Sequence, residues 1–448
     1  MNQAEQLSNI VQNGLCIGCG LCQSIAGPER VQVMMTPEGR ERPVESAAID
    51  AATGAHIAAV CPGVQIAGLP SSLMEPETVV DPIWGPYLFT AQNSAQPDAF
   101  NEDRDAPLSS PLDETSVLLN RGIVRSYASD PEVRFKGATG GVLTALAIFL
   151  LETGAVNFVL HVAASQQQPM RSERQLSFDR GQVLGAAGSR YGPAAPLVDF
   201  LEILEREEPF AFVGKPCDVG AIRNLARLDP RVDQYCLYCL TLVCGGASEL
   251  SKSRDLLDEF GVTEEKLALL RYRGHGNPGL TRVETKDGRA FEKSYNDMWE
   301  DEAGWHLQFR CKICPDAIGE AADLVACDIW PDAAPAGEDE GFNGIIVRTQ
   351  KGADLLTAAV NHGALIVDQA FTPRDLDHFQ PHQVRKKKAV WARIEGLRQA
   401  GQLAPTISDL RIEELAMEND PGVNLRETEG TLQRAQEGRT SEPAARPE

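Results

Sequence analysis

Four cysteines near the N-terminus constrain this chain more than any other feature of its sequence. Three of them lie in the segment CIGCGLC at residues 16–22, and the fourth, Cys61, is followed directly by Pro62. Cysteines spaced in this way on a glycine-containing loop can turn their thiolates toward one centre, which a remote Cys-Pro can then close. Backbone amides pointing at the sulfurs would stabilise added negative charge. The spacing predicts an iron–sulfur cluster of the 4Fe-4S type, bound by Cys16, Cys19, Cys22 and Cys61.

Zinc is the competing interpretation of these cysteines, since four thiolates also suit a structural zinc ion. Three cysteines at this repeat followed by Cys-Pro form a ferredoxin spacing rather than a zinc-finger spacing. We therefore expect residues 1–75 to form a ferredoxin-like 4Fe-4S domain. The gap between Cys22 and Cys61 is longer than in a bacterial ferredoxin, so we expect additional structure within it.

Composition excludes several classes of function. The 448 residues leave room for about two or three domains. A net charge of −22 argues against nucleic acid as the main partner, because binding phosphate requires a basic face. The longest apolar stretch, residues 142–151, is too short to span a membrane, and no signal peptide is visible. Eleven cysteines without an export signal indicate metal or cluster ligation in a reduced, cytoplasmic setting.

Segments with helix and strand patterns alternate after a polar, proline-rich linker at residues 76–121. This alternation predicts an α/β fold with a covered parallel or mixed sheet, followed by a smaller α+β portion. Residues 425–448 lack apolar periodicity and are predicted to be a disordered tail. The predicted helices cover residues 142–152, 196–206, 219–228 and 352–362, and the predicted strands cover residues 155–164, 210–214, 236–243 and 344–349.

A second set of cysteines lies in the later part of the chain. Cys311 and Cys314 form a Cys-x-x-Cys pair, which alone could serve zinc binding or thiol–disulfide exchange. Cys217 and Cys244 each follow an apolar predicted strand, and the C-terminal ends of parallel strands meet at one edge of a sheet. A second four-cysteine site built from these residues is therefore geometrically plausible.

Three further cysteines are expected to be small buried hydrophobic residues. In a regular strand, Cys236 and Cys239 point to opposite faces and cannot bind one centre together. Cys327 receives the same interpretation.

Three glycine-containing segments are candidates for binding an anionic cofactor. Residues 136–144 place free amides at a helix N-terminus, which suits a phosphate, although an ordinary helix cap explains the pattern equally well. Residues 189–193 could offer a cation and a stacking ring to a flavin, or could form a simple turn. Residues 271–279 could hold an anionic tail with arginines, with a histidine as proton donor. The candidate residues are Thr139, Gly140, Gly141, Thr144, Ser189, Arg190, Tyr191, Arg271, Arg273 and His275.

Several motifs along residues 10–400 resemble one known family in combination, although none is specific by itself. They are GGVLTAL at 140–146, GKPCDVGAIR at 214–223, CGG at 244–246, RYRGHGNPG at 271–279, CKICPD at 311–316, AD at 322–323 and GFNGIIVRT at 341–349. Taken in order, these segments resemble the coenzyme F-420 hydrogenase/dehydrogenase beta-subunit family.

The resemblance implies an iron–sulfur flavoprotein. In this family a flavin, FAD rather than FMN, sits against the central α/β domain, which would correspond to residues 122–250. A 4Fe-4S cluster is held by the cysteines that match Cys217, Cys244, Cys311 and Cys314, and the last two belong to a second domain at residues 251–400. Relatives with an N-terminal ferredoxin-like module carry another cluster. The family includes subunits that oxidise or reduce coenzyme F-420 and ferredoxin-dependent reductases of chlorophyll intermediates.

The predicted function is therefore that of an oxidoreductase that relays electrons between two 4Fe-4S clusters and a flavin. The flavin exchanges hydride with a small molecule, either coenzyme F-420 or another organic substrate. Ferredoxin or another redox protein is the expected electron partner, and a homo-oligomer or a larger complex is compatible with the sequence. Lys215 is predicted to stabilise the anionic reduced flavin because it directly precedes Pro216 and Cys217.

Two alternatives remain at this level. One is a non-catalytic electron-transfer beta subunit whose partner performs the substrate chemistry. The other is a structural module stabilised by zinc.

Overall fold

The computed structural model describes residues 6–89, 118–335 and 337–448. Its N-terminal part contains three helices and two antiparallel hairpins, so the long gap between Cys22 and Cys61 does contain additional structure. The helices are α1 (Leu7–Gln12), α2 (Leu21–Ala26) and α3 (Ala51–Val60), and the strands are β1 (Val31–Met35), β2 (Glu41–Glu45), β3 (Gln65–Ala67), β4 (Thr78–Asp81) and β5 (Gly85–Leu88).

The central part alternates strands with helices, as the sequence predicts. Its helices are α4 (Pro131–Lys136), α5 (Val142–Glu152), α6 (Arg180–Gly185), α7 (Phe200–Leu204), α8 (Pro216–Ala226), α9 (Arg231–Tyr235), α10 (Leu250–Glu259), α11 (Tyr295–Trp299), α12 (Phe309–Lys312) and α13 (Gln350–Asn361). Its strands are β6 (Ile123–Ala128), β7 (Phe158–Ala164), β8 (Ser172–Ser177), β9 (Phe210–Gly214), β10 (Cys236–Leu242), β11 (Leu267–Arg271), β12 (Thr281–Thr285), β13 (Ala290–Lys293), β14 (Leu324–Ile329), β15 (Phe342–Val347) and β16 (Leu365–Ala370).

The C-terminal part is mainly helical. It consists of α14 (Pro373–Phe379), α15 (Pro381–Gln399), β17 (Thr406–Ser408), α16 (Ile412–Met417) and α17 (Pro421–Gln436). Within the described residues, no helix combines the length and apolar character that crossing a membrane requires.

One large mixed sheet organises the central part and confirms the predicted α/β class. Its eight strands follow the order β16-β6-β15-β14-β10-β9-β7-β8. The four middle strands β14, β10, β9 and β7 run parallel to one another, and all other pairings in the sheet are antiparallel. The C-terminal ends of the parallel strands therefore lie along one edge of the sheet.

Both faces of this sheet are covered, which explains why its central strands are apolar almost throughout. In β9, Phe210 and Phe212 pack into the hydrophobic cluster that includes residues of α8. Ala211, which lies between them, packs into the opposite cluster with residues of α5. Because side chains alternate along a strand, one short segment contributes to both cores.

Two segments differ from their predicted character. The predicted linker at residues 76–121 contains the β4–β5 hairpin, in which Trp84 is fully buried, while residues 90–117 lie outside the described residues. The tail predicted as disordered instead contains most of α17, and Thr440 beyond it is fully buried. Neither segment needs apolar periodicity for this order, because each packs against structure formed elsewhere in the chain.

Buried ion pairs connect the two ends of the chain to each other and to the sheet. Arg42 is 1% exposed and donates hydrogen bonds to both carboxylate oxygens of Glu442, at 2.7 and 2.8 Å. Glu320 is fully buried and pairs with Lys387 and Arg411, both from the C-terminal part. These charges are far from their partners in sequence, so the C-terminal part is folded onto the rest of the molecule.

Replacing Arg42 by methionine should strongly destabilise the protein, because Glu442 would lose its two short hydrogen bonds and remain buried with only the longer contact to Arg40, at 3.5 Å. We expect the free energy of unfolding to fall by about 3–5 kcal/mol, measured by chemical denaturation. The double variant Arg42→Met/Glu442→Leu should recover part of that loss, because it removes both charges together. Equal stability of the single variant and the unmodified protein would contradict the importance of this pair.

A buried histidine makes stability depend on pH. The Nε2 atom of His161 in β7 lies 2.7 Å from the hydroxyl of Ser177 in β8, and burial lowers the pKa of His161 to about 4. Because this lies below the unfolded value of about 6.5, the unfolded chain binds more protons as the pH falls. The stability contributed by neutral His161 is therefore complete above about pH 6.5 and is lost as the pH falls toward 4.

The variant His161→Gln tests this dependence. Between pH 7.5 and pH 5, the unmodified protein should lose about 2 kcal/mol more of its unfolding free energy than the variant does. The matched control is His378→Gln at an exposed position, which should retain the pH dependence of the unmodified protein. Parallel pH profiles for the unmodified protein and His161→Gln would contradict this account.

Candidate functional site

The four N-terminal cysteines surround one small cavity, and we call them the first thiol quartet. The cavity is lined by Cys16, Cys19, Cys22 and Cys61, with apolar neighbours from the N-terminal helices and strands. The loop between the cysteines curls through Gly18, whose φ of +72° favours glycine. A Cβ atom at Gly18 would lie 2.6 Å from the carbonyl oxygen of Glu41, so the close approach of the β2 backbone also requires glycine.

Backbone amides and neighbouring thiols determine the electrostatics of this quartet. The amide of Gly18 donates a hydrogen bond to the sulfur of Cys16 at 3.4 Å. Burial, and then the charge of Cys16, raise the pKa of Cys61 to about 12. Burial likewise raises the pKa of Cys22, with further contributions from Cys16 and Cys61. The four sulfurs are thus within electrostatic reach of one another, and a bound cationic centre would displace their protons.

The second set also comes together, at the sheet edge where the sequence predicts it, and we call it the second thiol quartet. Cys217 lies in the first turn of α8 after β9, and Cys244 follows the end of β10. Cys311 lies in α12, and its sulfur accepts a hydrogen bond from the amide of Ala247 at 3.4 Å. The quartet consists of Cys217, Cys244, Cys311 and Cys314.

The pKa values of the second quartet again reflect the proximity of its members. Burial raises the pKa of Cys244 to about 11, with Cys311 and Cys314 contributing through their charges. Burial also raises the pKa of Cys217, to which the charges of Asp218, Cys244 and Cys314 add. Each quartet is therefore a compact group of thiols in a mostly buried setting.

The two quartets are adjacent across the first turn of α8. Asp218 is fully buried, and its carboxylate lies 2.8 Å from the ammonium of Lys215. Its charge acts on both Cys19 of the first quartet and Cys217 of the second. On another side, the buried guanidinium of Arg310 donates a hydrogen bond to the carbonyl of Pro62 at 2.9 Å. Arg310 immediately precedes Cys311, and Pro62 immediately follows Cys61, so a single hydrogen bond connects the two cysteine loops.

The donor set of each quartet consists of four thiols. Among the described residues, no three His, Cys, Asp or Glu side chains converge closely enough to hold one metal ion. A cubane cluster makes a different geometric demand, because each of its four irons takes one thiolate and the sulfurs surround the whole cluster. Four thiols with nearby backbone amides match the chemistry of such a cluster in each quartet.

A cavity of about 520 Å³ opens at the same sheet edge. It reaches from the loop before α5, past the ends of β9 and β10, to the tryptophans of residues 299 and 305 and to the start of α15. Lys215 and Cys244 both line it, so the second quartet borders the cavity directly. Its volume and its mixed apolar and polar walls are typical of a cofactor or small-molecule site.

The predicted phosphate loop contributes most of its residues to this cavity. Thr139, Gly141 and Thr144 line it, at the N-terminal end of the eleven-residue helix α5. Gly140 is not among the lining residues and instead packs against Asn343, where a Cβ atom would lie 2.8 Å from the Asn343 amide nitrogen. The N-cap residue Gly141 gives α5 no side-chain cap, and the amide of Val142 donates to the side-chain oxygen of Asn343 at 3.3 Å. The amides of Leu143 and Thr144, which follow in the same first turn, are the ones that an anion could bind.

Two predicted cationic contacts have other partners in the structure. Ser189, Arg190 and Tyr191 line the cavity, but the guanidinium of Arg190 donates hydrogen bonds to the backbone carbonyls of four residues: Pro169, Met170, Arg171 and Leu270. Arg273 also lines the cavity, and its guanidinium lies 2.8 Å from the carboxylate of Asp328. Both arginines therefore shape the wall rather than offer a free charge.

The other two residues of that glycine-rich loop lie elsewhere. Arg271 and His275 are not among the residues that line the cavity. His275 has a φ of +59°, and its ring centroid lies 5.7 Å from that of Phe135. It therefore lies away from the cavity that Arg273 lines, in a position that suits a structural role better than proton donation.

Unpartnered polar atoms in the cavity wall support binding of a cofactor. Ser248 is 2% exposed and Trp299 is 8% exposed, and both line the cavity. Within the described part of the chain, neither the Ser248 hydroxyl nor the Trp299 indole nitrogen has a hydrogen-bond partner. Buried donors are normally satisfied, so these two are placed to bind a ligand. The rings of Tyr191 and Trp299 pack against each other in a tilted arrangement, with a centroid distance of 4.1 Å and an interplanar angle of 38°, which gives the cavity an aromatic wall.

Sequence reasoning missed the contribution of α15. His382 lines the cavity, and burial lowers its pKa to about 4, so its ring is neutral near pH 7. The side chain of Gln383 donates a hydrogen bond to the carbonyl of Cys244 at 2.9 Å, which fixes the backbone of a quartet member. The only sequence signal here is the proline at residue 381, which indicates a helix start but no site.

The prediction for Cys236 and Cys239 requires a correction. Their sulfurs lie 3.8 Å apart on the same side of β10, instead of on opposite faces. The reason is a register shift between Cys236 and Tyr238, which adds one residue to β10. The extra residue turns the side chains of Cys236 and Cys239 to the same face of the strand. Both cysteines are at most 3% exposed, in keeping with buried apolar residues, and Cys327 in β14 is 2% exposed.

Comparison with known families and proteins gives the following matches. The N-terminal model of the coenzyme F420 hydrogenase/dehydrogenase beta subunit matches residues 123–202, and the C-terminal model of the same subunit matches residues 207–371. Together these models cover more than half of the chain.

Relatives from two Methanococcus species share about a quarter of their aligned residues with this chain. The F420-dependent formate dehydrogenase 1 subunit beta of Methanococcus maripaludis is 26% identical over 251 residues, which are 56% of this chain and 62% of that protein. The coenzyme F420 hydrogenase subunit beta of Methanococcus voltae is 25% identical over 54% of this chain and 82% of that protein. The chain thus spans less than two thirds of the length of the first of these relatives.

A solved structure completes the comparison. A chain of the F420-reducing nickel–iron hydrogenase complex from Methanosarcina barkeri is 20% identical, with a TM-score of 0.43 over 59% of this chain and 91% of that chain. On the evidence of the two family models, the chain belongs to the coenzyme F420 hydrogenase/dehydrogenase beta-subunit family.

Proposed function

We propose that this chain is an iron–sulfur flavoprotein oxidoreductase that relays electrons between two 4Fe-4S clusters and a flavin. The first thiol quartet would hold one cluster and the second thiol quartet the other. The flavin, FAD in preference to FMN, would occupy the cavity of about 520 Å³ beside the second quartet.

The observation that carries this proposal is the adjacency of the three candidate sites. Cys244 and Asp218 both line the cavity, and Asp218 acts electrostatically on both Cys217 and Cys19. One buried carboxylate is therefore close to the cavity and to a member of each quartet. Groups bound at these three sites would be near enough to exchange electrons, which is what a relay requires.

The residues that would hold the flavin follow from the cavity wall. The amides of Leu143 and Thr144 in the first turn of α5, together with the hydroxyl of Thr144, suit its phosphate groups. The hydroxyl of Ser248 and the indole nitrogen of Trp299 can donate hydrogen bonds to its ring atoms. The ring of Tyr191 offers an aromatic face for stacking.

When bound, a flavin supplies hydride chemistry on one side and single-electron exchange with iron–sulfur clusters on the other. Lys215 would place its positive charge beside this cofactor and favour the reduced, anionic form. Its pKa is raised, because the attraction of Asp218 outweighs the effect of burial, so the ammonium keeps its proton. The neutral ring of His382, in the same cavity, is a candidate for accepting or returning a proton.

The names of the relatives support a substrate class. Two of them are F420-dependent or F420-reacting beta subunits, and a third, 25% identical, is the coenzyme F420-dependent sulfite reductase of Methanocaldococcus jannaschii, of which this chain covers 35%. We infer a deazaflavin of the F420 type, or an organic molecule of similar hydride affinity, as the substrate. Ferredoxin or another small redox protein is the proposed electron partner.

A second candidate function is that of an electron-transfer subunit in a larger complex. It is favoured by the fact that the relatives from Methanococcus are named as beta subunits of a hydrogenase and a formate dehydrogenase. In that case the partner subunit would perform the substrate chemistry and this chain would conduct electrons. Oxidation or reduction of F420 by the isolated chain with an artificial electron partner distinguishes the enzyme from such a subunit.

Loss of one ligand from either quartet should remove one cluster and leave the other. Cys16→Ser and Cys217→Ser should each reduce the bound iron from about eight to about four atoms per chain, because each cluster holds four irons. The measurement is anaerobic iron and sulfide analysis, with electron paramagnetic resonance of the reduced protein.

Cys327→Ser is the matched control, because Cys327 is buried but belongs to neither quartet. This variant should keep the full iron content. Equal iron content in Cys16→Ser, Cys217→Ser and the unmodified protein would refute the assignment of the quartets.

Replacing Lys215 by methionine should make reduction of the flavin harder. The variant removes a positive charge from the cavity wall and leaves Asp218 uncompensated. We expect the two-electron midpoint potential to fall by about 30 mV or more, which corresponds to about 1.4 kcal/mol. Spectroscopic redox titration measures the shift, and Lys351→Met at an exposed position serves as the control. An unchanged potential in Lys215→Met would remove this role.

A further inference from the structure

Five basic residues form a patch on the protein surface beside the second thiol quartet. They come from α12, α15 and the C-terminal end of α17, and the last two helices lie outside the regions matched by the family models. The patch is positively charged, although the chain as a whole carries a net charge of −22. The basic patch consists of Lys312, Lys386, Arg393, Arg434 and Arg439.

Two of these residues flank cysteines of the second quartet. Lys312 lies between Cys311 and Cys314 and is exposed. The ammonium of Lys386 lies 3.4 Å from the carbonyl oxygen of Gly245, the residue after Cys244. Positive charge therefore approaches this quartet from two separate helices, α12 and α15.

Arg393 joins these two elements. Its guanidinium donates a hydrogen bond to the carbonyl oxygen of Lys312 at 2.7 Å. Arg393 also lies seven residues after Lys386 in α15, so the two side chains project from the same face of that helix. The α12 loop and α15 thus present their basic residues on one continuous surface.

The end of α17 completes the patch, because α17 packs along α15. The hydroxyl of Thr428 in α17 donates a hydrogen bond to the carbonyl of Ala392 at 3.0 Å. Arg434 and Arg439 are both exposed. Burial, and then the positive charges of Arg434, Arg439 and Arg393, lower the pKa of Lys312, which places these charges around it.

Carboxylates of the chain neutralise only part of this charge. Arg393 pairs with Glu427 at 2.8 Å, and Arg439 pairs with Glu437 at 3.1 Å. Lys312, Lys386 and Arg434 have no carboxylate partner within 4.0 Å in the part of the chain that the structure describes. Three positive charges therefore remain available to an external acidic surface.

We propose that the basic patch is the docking surface for an acidic one-electron carrier protein of the ferredoxin class. This inference rests on the proposed function, because the carrier would exchange electrons with the group held by the second quartet. In each transfer the reduced carrier loses one electron and that group gains it, with no bond formed or broken. Charge complementarity would speed the encounter and fix the orientation of the two proteins.

Other polyanions fit this surface less well. The chain carries a net charge of −22, so an extended nucleic acid or an anionic membrane that reached beyond the patch would be repelled. A small acidic protein can contact the patch without meeting the remaining surface. The mostly buried thiols of the second quartet lie beside the patch. A carrier bound at the patch would therefore be close to the group that these thiols hold.

The test reverses charge at two positions of the patch that are distant in sequence from the cysteines. The variant Arg434→Glu/Arg439→Glu, purified anaerobically with its cofactors, is titrated with an acidic bacterial 4Fe-4S ferredoxin in isothermal calorimetry. We expect the dissociation constant to rise by about tenfold or more at low salt, and the dependence of affinity on salt to become weaker. The matched control Arg282→Glu/Arg289→Glu, in the β12–β13 hairpin, should retain affinity within about twofold.

A kinetic measurement separates docking from the cofactors themselves. Reduction of the visible absorption by reduced ferredoxin should slow in the patch variant, whereas reduction by dithionite should remain unchanged. If the charge-reversed protein proves unstable in thermal denaturation, Arg434→Gln/Arg439→Gln provides the same comparison with a smaller expected effect.

The outcomes distinguish two kinds of failure. Unchanged affinity and unchanged salt dependence in the patch variant, with absorption that dithionite still bleaches, would overturn the docking surface and leave the proposed function intact. Absence of any absorption that dithionite bleaches would overturn the proposed function and, with it, the electron exchange proposed for the patch.

Discussion

The ion pair between Lys215 and Asp218 lies in the turn that positions all three candidate sites, namely the two thiol quartets and the cavity. Asp218 is fully buried in the first turn after β9, and such a charge requires a close partner. The turn that forms the pair also places Cys217 toward the second quartet, Asp218 toward Cys19 and Lys215 toward the cavity. One short segment therefore aligns three candidate cofactor sites.

Chain segments outside the regions matched by the family models hold this arrangement together. Glu320, fully buried, pairs with Lys387 and Arg411 from the C-terminal part. Arg348 is also fully buried and donates hydrogen bonds to the carbonyls of Trp84 and Pro86, in the β4–β5 hairpin. Because unpaired buried charges are costly, the N-terminal module and the C-terminal helices cannot leave the sheet without a large loss of stability. Rigid attachment of this kind keeps the two quartets at a fixed separation.

The sequence predicted the parts of the molecule that local patterns specify. The apolar runs at residues 210–214 and 236–243 predicted β9 and β10. Because parallel strands end at one edge of a sheet, they also predicted that Cys217 and Cys244 lie at the same edge. It did not predict the facing of Cys236, because a bulge arises from pairing with neighbouring strands. The helix predicted at residues 196–206 is shorter, since Asp199 adopts a left-handed conformation before Phe200. His382 and the order of the C-terminal residues depend on contacts distant in sequence, which leave no local signal.

The central claim is that both quartets and the cavity hold redox groups in one relay. The most direct measurement is an anaerobic ultraviolet–visible spectrum of the purified protein, with iron, acid-labile sulfide, zinc and flavin quantified for each chain. The account predicts about eight irons, about eight sulfides and about one flavin, since each four-cysteine set would bind one cubane cluster. A colourless protein that contains zinc in place of iron would contradict it.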